Sequence, residues 1–211
     1  MAADPPRIRP YQTADLDDLY RVCLETADNG EDATALFSDP LLPGQVFAAP
    51  YAIFEPTLAW VAEDADGVAG YVLGALDTLD FEERLERDWW PALRKRYPNP
   101  GQLGDTLSQP ERVTLQDIHQ PFTTDPALVS RYPSHLHIDL LPRLQGRGLG
   151  RQLIEILLTA LRAGGSRGVH LHVSRANQRA AGFYRHVGLI ELPATGARVF
   201  AMEFAEASMT G

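Results

Sequence analysis

The stretch of sequence that decides the fold is Leu141-Pro142-Arg143-Leu144-Gln145-Gly146-Arg147-Gly148-Leu149-Gly150-Arg151. It follows an alternating segment that predicts a strand, and it leads into an apolar repeat that predicts an amphipathic helix. A turn of this kind points backbone N–H groups and the positive end of the helix dipole at one small volume. Glycine lets the backbone approach an anion closely, and three arginines add positive charge around it. The stretch therefore predicts a cradle for a pyrophosphate group.

The spacing of the glycines separates this loop from two common phosphate-binding loops. A Walker loop ends in Gly-Lys-Ser or Gly-Lys-Thr, and the sequence contains no Lys-Ser or Lys-Thr pair. The dinucleotide fingerprint Gly-x-Gly-x-x-Gly requires a third glycine where this chain has Arg151 or Leu153. The pattern that does fit is Gln-x-x-Gly-x-Gly, formed by Gln145, Gly148 and Gly150.

A second motif lies downstream, between Val173 and Leu189. A predicted strand ends there, Asn177 is a favourable N-cap for the next helix, and Gly188 is a favourable residue to end that helix. The same helix carries the pair Phe183-Tyr184. With these two motifs in this order, the chain resembles the GNAT family of N-acetyltransferases. In that family the first motif belongs to the coenzyme A loop, and the second forms the closing segment of the domain.

The resemblance implies an α/β fold with a mixed central sheet, a splayed pair of parallel strands and helices on both faces. In this chain the pair corresponds to two predicted strands, 134–141 and 168–173, which a predicted helix over 148–163 connects. We expect a single domain over residues 1–211. A long helical and loop insertion, residues 80–132, precedes the central strand of this domain.

The resemblance also implies which residues handle the coenzyme. Acetyl-CoA is the expected co-substrate, and no metal is expected. The residues that correspond to the coenzyme site are Leu140, Leu141, Arg143, Gln145, Gly146, Arg147, Gly148, Leu149, Gly150, Arg151, Asn177 and Tyr184. In the family, the residue matching Asn177 lies near the pantetheine arm, and the residue matching Tyr184 can protonate the departing thiolate. A structural role for Tyr184, as a core aromatic, is the alternative.

A narrower resemblance covers nearly the whole chain. Segments such as Ala69-Gly70-Tyr71-Val72-Leu73-Gly74 and Tyr132-Pro133-Ser134 resemble the acetyltransferase-like C-terminal domain of the eukaryotic O-GlcNAc hydrolases. That domain is suspected of having lost its coenzyme loop and its activity, whereas Gln145 to Gly150 are intact here. We therefore expect an N-acetyltransferase that transfers acetyl directly to an amine in a ternary complex. An acetyl-CoA-binding pseudoenzyme, acting as a sensor or an interaction module, is the alternative.

Charge is distributed unevenly along the chain. Between Tyr11 and Asp88 the sequence has 18 acidic and 3 basic residues, whereas Leu141 to Val187 has one acid and eight arginines. The basic half coincides with the expected site of a polyanionic coenzyme. The acidic half would suit a cationic amine, carried by a small molecule or by a protein, or else is a solvated surface. No basic stripe interleaved with aromatic residues occurs, which argues against nucleic-acid binding.

The composition argues against disulfide-rich, membrane-spanning and secreted classes of protein. The chain has 211 residues, a net charge of −9 and a single cysteine, so an intramolecular disulfide framework is excluded. No apolar run has the length of a membrane span, and the start Met1-Ala2-Ala3-Asp4 lacks the basic and apolar regions of a leader peptide. We expect a cytoplasmic protein with no membrane partner. The sequence leaves its oligomeric state and the identity of its amine open.

Histidines alternate with apolar residues on both predicted central strands. His135, His137 and Asp139 share one face of the first strand, and His170 and His172 share one face of the second. If both polar faces point to the same side of the sheet, these groups are neighbours. They could then bind a metal, form hydrogen bonds within the core, or handle protons near the acceptor.

The expected reaction needs a general base, because an ammonium group must lose a proton before its nitrogen can attack a carbonyl carbon. His137 and Asp139 are the preferred candidates, since the resemblance places the thioester near the end of their strand. Asp117 and His119, which both lie on the insertion, are the alternatives.

The insertion also carries two adjacent tryptophans. Its segment from Phe81 to Trp90 predicts a helix that stops at Pro91. Trp89 and Trp90 could form an aromatic wall for the acceptor, or they could pack the core of the insertion itself. A long connection between strands often carries function, and this one could form a lid over the acceptor site.

Overall fold

A computed structural model describes residues 5–103 and 107–205. Within these residues the strands β1 to β7 are Arg7–Pro10, Ala59–Asp64, Gly67–Ala75, Ser134–Leu140, Gly168–Val173, Ile190–Leu192 and Arg198–Glu203. The helices α1 to α9 are Leu16–Leu24, Leu42–Phe47, Ala49–Phe54, Thr78–Arg84, Trp90–Arg96, Gln109–His119, Pro126–Arg131, Leu149–Ala163 and Gln178–His186. None of these described helices combines the length and the apolar composition needed to cross a bilayer. Residues 1–4, which bear on the leader-peptide prediction, and 104–106 of the insertion lie outside the described part.

All seven strands belong to one mixed sheet, in the order β1-β2-β3-β4-β5-β7-β6. β4 and β5 run parallel, and every other pair of neighbours is antiparallel. The parallel pair is in register at Ser134 with Val169 and at His135 with His170, and the two strands have no further paired residues. The predicted α/β fold with a splayed parallel pair is confirmed.

Helices cover both faces of the sheet, as predicted. On one face α8 packs so closely that a Cβ added to Gly74 of β3 would lie 2.6 Å from the side chain of Leu157. On the other face α1 brings Cys23 against Tyr71 of β3. Tyr71 and Gly74 point to opposite faces because they are an odd number of residues apart on one strand. The sheet is therefore the middle layer of the molecule.

The insertion builds a second apolar cluster beside the main core. Phe81, Trp90 and Ile118 are buried in this cluster together with Leu24 of α1. The helix predicted to stop at the proline instead continues, because a π-helical segment, Leu85–Trp89, joins α4 to α5. In the π-helical turn the backbone N–H of Trp90 donates to the carbonyl of Leu85, five residues back, and this irregular turn accommodates a proline, which has no N–H, at the start of α5. The prediction of a helix end at that position was wrong for this reason.

Candidate active site

A cleft of about 760 Å³ opens where β4 and β5 part. The ends of both strands, the loop before α8, the start of α9 and the turn after α1 supply its walls. The predicted site residues that line it are His137, Asp139, Leu140, Gln145, Gly146, Gly148, Gly150, Arg151, Asn177 and Tyr184. The structure therefore brings the three candidate catalytic residues and most of the candidate coenzyme residues to one place.

The glycine-rich loop presents a row of unpaired backbone N–H groups to this cleft. Gly146 and Gly148 adopt φ values of +71° and +78°, which side-chain-bearing residues rarely adopt. From Gly146 to Arg151, no backbone N–H has an acceptor within the described residues. Such groups at a helix start need a solvent or ligand partner, and an anion suits them best. The row fits the pyrophosphate of coenzyme A.

Gln145 connects this loop to both sides of the cleft. Its Nε2 donates a hydrogen bond to the carbonyl of Leu140 at 2.7 Å, and its Oε1 accepts one from Nη1 of Arg179. The Nη2 of Arg179 also donates to the carbonyl of Gly30, in the turn after α1, at 3.2 Å. Sequence reasoning missed Arg179, because no local pattern indicates that the first turn of α9 lies over the loop. Its guanidinium places a positive charge at the mouth of the cleft.

Four residues predicted for the coenzyme site do not line the cleft. Leu141 and Leu149 are buried in the main core. Arg143 turns to the β2–β3 hairpin, where its Nε donates to the carboxylate of Asp64 at 3.1 Å. Arg147 is exposed on the loop. What Arg147 and Leu149 offer a ligand is thus their backbone N–H groups, which belong to the unpaired row.

The second motif forms α9 as its sequence predicts. The side chain of Asn177 accepts a hydrogen bond from the backbone N–H of Ala180 at 2.9 Å, and Gly188, with φ of +94°, follows the last turn. Tyr184 is 8% exposed, and its ring packs against Phe200. Burial, with a smaller contribution from the charge of Asp139, raises the pKa of Tyr184 above its usual range. The phenol therefore keeps its proton at neutral pH.

A hydrogen-bonded cluster lies beside the cleft, and the hydroxyl of Tyr71 is at its centre. This hydroxyl donates to Oδ2 of Asp139 at 2.6 Å, and it lies 3.2 Å from Nε2 of His137. Burial and the Asp139 charge raise the pKa of Tyr71 far above its usual range, so the hydroxyl stays a donor. Burial likewise raises the pKa of the neighbouring thiol of Cys23. Sequence analysis assigned no role to either residue, since each is only one member of an apolar stretch.

The cluster fixes the tautomer of its imidazole. Nε2 of His137 lies 3.0 Å from Oδ2 of Asp139. The Tyr71 hydroxyl donates its one proton to Asp139, so it accepts in its hydrogen bond with Nε2, and Nε2 carries the proton. Nδ1 of His137 is then the ring nitrogen with the free lone pair. The pair can therefore act as an oriented imidazole base supported by a carboxylate.

The two His-x-His pairs share a face of the sheet, but they do not converge on a point that could hold a metal. Nδ1 of His135 lies 2.9 Å from Oγ1 of Thr78, and Nδ1 of His170 lies 2.7 Å from the carbonyl of Tyr132. Burial lowers the pKa of His135 to about 3 and that of His170 to about 4. Both imidazoles are thus neutral, hydrogen-bonded groups of the interior.

Side chains of the types that bind metal ions come together instead in the cluster around Tyr71. Among the described residues, the side chains of Cys23, His137 and Asp139 bring their ligand atoms within 4.8 Å of one another. The Tyr71 hydroxyl already hydrogen-bonds to this carboxylate and contacts the imidazole. The carboxylate and the imidazole of the cluster therefore both have a hydrogen-bond partner in the tyrosine.

Four insertion residues considered for the acceptor side are absent from the lining of the cleft. Asp117 is partly buried on α6, and burial raises its pKa to about 6. His119 places Nε2 at 3.0 Å from a backbone carbonyl of the insertion. Trp89 donates from Nε1 to the carbonyl of Gln45 at 2.9 Å, and Trp90 is buried in the second cluster. The tryptophans thus pack the insertion.

Comparison with known proteins finds acetyltransferases by sequence and by structure. A model of the "Acetyltransferase (GNAT) family" matches residues 123–189, a range that includes both motifs. The Protein O-GlcNAcase of Rattus norvegicus is 28% identical over 186 residues, which cover 88% of this chain and 20% of that protein. The chain therefore spans about a fifth of the length of the curated relatives it matches.

Two solved structures extend the comparison. The "Structure of yncA, a putative acetyltransferase from Salmonella typhimurium with its cofactor Acetyl-CoA" is 13% identical, with a TM-score of 0.55 over 99% of both chains, which shows a shared fold. The crystal structure of SsHAT is 37% identical, with a TM-score of 0.86 over 96% of this chain and 100% of that one. With the family's two motifs in place and a relative of this identity along its whole length, the chain belongs to the GNAT family of acetyltransferases.

Proposed function

We propose that this protein is an acetyl-CoA-dependent N-acetyltransferase, which transfers the acetyl group directly to an amine within a ternary complex. One juxtaposition carries the proposal: a single cleft holds the unpaired N–H row, Tyr184 on α9, and the His137–Asp139 pair on β4. The acetyl-CoA bound to the Salmonella protein of the same fold supports this co-substrate.

The backbone would bind the coenzyme at two places. The N–H groups from Gly146 to Arg151 would hold the pyrophosphate. Beyond His135, the side of β4 that faces β5 has no strand partner, so its peptide groups other than the Leu140 carbonyl, which accepts from Gln145, are available to the amides of the pantetheine arm. A backbone N–H donated to the thioester carbonyl there would stabilise the oxyanion that forms during attack. Binding and activation would thus use the same open strand.

The chemistry needs one base and one acid. Nδ1 of His137 would take a proton from the acceptor ammonium, and Asp139 would stabilise the resulting imidazolium. The amine nitrogen would then attack the thioester carbon, so that a C–N bond forms and the C–S bond breaks. The leaving thiolate would take the proton of Tyr184 while the nitrogen loses its second proton to solvent, giving free coenzyme A and an amide. Both side chains would recover their starting protonation by exchange with solvent.

Isothermal calorimetry with acetyl-CoA tests the cradle. Gly148→Glu would place a carboxylate among the N–H groups. Gly165→Glu is the matched control, because Gly165 is also exposed, has φ of +86°, and lies after the other end of α8. We expect one-to-one binding by the wild type and by Gly165→Glu, and none by Gly148→Glu. No binding by the wild type, or equal binding by both variants, would contradict the proposal.

Turnover separates transfer from binding. Release of the coenzyme A thiol is followed in the presence of a panel of amines, and the acetylated product is identified by mass spectrometry. Acetylation of an amine would support the transferase. If acetyl-CoA binds but no amine is acetylated, the chain is a coenzyme-binding module, and the proposed transfer is wrong.

A further inference from the structure

Two pairs of rings lie at the splayed strands; Phe47, His137 and His172 line the cleft, and Phe122 lies outside its lining but contacts His172. On the β4 side, Phe47 of α2 stacks on His137, with ring centroids 6.3 Å apart and an interplanar angle of 28°. On the β5 side, Phe122 meets the ring of His172 edge to face at 5.1 Å. Both imidazoles line the cleft, and both lie on the same face of the sheet, as the register of the parallel pair requires.

Phe122 is a large apolar side chain held in the open. It is 62% exposed, although it lies in a connection that is anchored two residues later. There the backbone N–H and the hydroxyl of Thr124 both donate to Oε1 of Glu82, at 3.0 and 2.6 Å, and Thr124 is buried. A phenylalanine on an anchored segment is a preformed apolar surface, which gains free energy when a ligand covers it.

Three imidazoles beside these rings, those of His135, His170 and His172, are uncharged at neutral pH. Burial lowers the pKa of His172 below its usual range, and it lowers the pKa values of His135 and His170 further. Neutral imidazoles present flat rings that stack with aromatic groups. On this side of the cleft, a ligand can therefore contact the faces and edges of rings, and these imidazoles offer it no charge with which to form an ion pair.

Carboxylates are scarce in the cleft. Within its described lining the one acidic side chain is Asp139, which is engaged by Tyr71 and by the neighbouring imidazole. Acidic residues of the N-terminal half, Glu25, Glu31 and Asp32, line a separate depression. An acceptor with a second ammonium group would thus find no unengaged carboxylate among the described lining residues.

We propose that the acceptor is a primary amine carried on an aromatic ring, and that Phe47 and Phe122, with the two imidazoles they contact, form the walls that bind this ring. The inference rests on the proposed acetyl transfer and names the class of its acceptor. The ring would lie between the two pairs, and its aminoalkyl group would place the nitrogen near the His137–Asp139 pair. Phe122 would act as a specificity residue that never touches the reacting atoms.

The test compares three amines at saturating acetyl-CoA: 2-phenylethylamine, n-hexylamine and spermidine. We expect the highest kcat/KM for 2-phenylethylamine. Phe122→Ala should lower kcat/KM for this amine by about three- to tenfold, mainly through KM, because an aromatic contact of this strength is lost. The same variant should leave n-hexylamine nearly unchanged, and Phe122→Tyr should keep the preference. Ile190→Ala is the matched control, since Ile190 is a comparably exposed apolar residue on β6, the edge strand beyond β7, whereas Phe122 contacts a ring that lines the cleft.

The outcomes distinguish this inference from the proposed function. Turnover in which spermidine or n-hexylamine is the best acceptor would overturn the aromatic acceptor and leave acetyl transfer intact. An equal loss for both monoamines in Phe122→Ala would also overturn it, since the residue would then not discriminate. Acetyl-CoA binding without acetylation of any amine would refute the transfer itself, and the inference with it.

Discussion

His170 should make the stability of this protein depend on pH. Its side chain is buried, Nδ1 donates to the carbonyl of Tyr132, and burial lowers its pKa from 6.5 to about 4. Between these values the unfolded chain binds a proton that the folded chain does not bind. The free energy of unfolding therefore falls as the pH falls through this window. A single group of this kind costs about 2 kcal/mol of stability between pH 7 and pH 5.

Urea denaturation at pH 7 and pH 5 measures the effect. His170→Asn keeps a side-chain N–H that can donate to the Tyr132 carbonyl, but it removes the titration. We expect the variant to lose about 2 kcal/mol less than the wild type between the two pH values. His135 contributes equally to both proteins and cancels in the comparison. His170→Gln, with its amide displaced, should be less stable at both pH values and show the same weaker pH dependence. An equal loss in the wild type and in His170→Asn would refute the reasoning.

Two further predictions concern the reaction. Tyr184→Phe should lower kcat about 100-fold or more, because it removes the acid. The affinity for acetyl-CoA, measured by calorimetry, should stay close to that of the wild type, because the ring keeps its packing against Phe200. Equal losses of kcat and affinity would show that Tyr184 has a structural role only. Asp139→Asn should lower kcat by a similar factor of about 100, with little change in thermal stability, since an amide oxygen can still accept from Tyr71. An unchanged kcat would show that the base is not the His137–Asp139 pair.

The elements that the sequence predicts correctly depend on near neighbours. The loop before α8 takes a left-handed conformation at Gly148, which glycine adopts readily, and this preference can be read from a few residues. Asn177 caps the residue three positions ahead of it, and Gly188 ends the same helix. Each assignment requires only the geometry of one turn, so each can be read from the sequence.

The features that the sequence does not reveal depend on distant pairings. Tyr71 reaches Asp139 across 68 positions, because the antiparallel register of β3 and β4 sets them opposite each other. Arg143 has a loop position that suits an anion, yet the β2–β3 hairpin brings Asp64 closer to it. Arg179 reaches the loop only through the docking of α9. Neither periodicity nor composition encodes such registers, so the sequence alone does not predict that Tyr71 lies at the centre of the cluster that holds the candidate base.

Because β4 and β5 stop pairing after His135 and His170, the sheet has an unpaired strand edge in its interior as well as at its two sides. Unpaired peptide groups along an exposed edge invite other chains to add as strands, which is a common route to aggregation. The outer edges here are β1 and the three-residue strand β6, while the inner edge faces a cleft of about 760 Å³. A space of this size accepts an extended small molecule and excludes a second sheet. The unpaired edge can thus form strand-like hydrogen bonds with a small ligand, while other protein molecules in a crowded solution cannot add a strand to it.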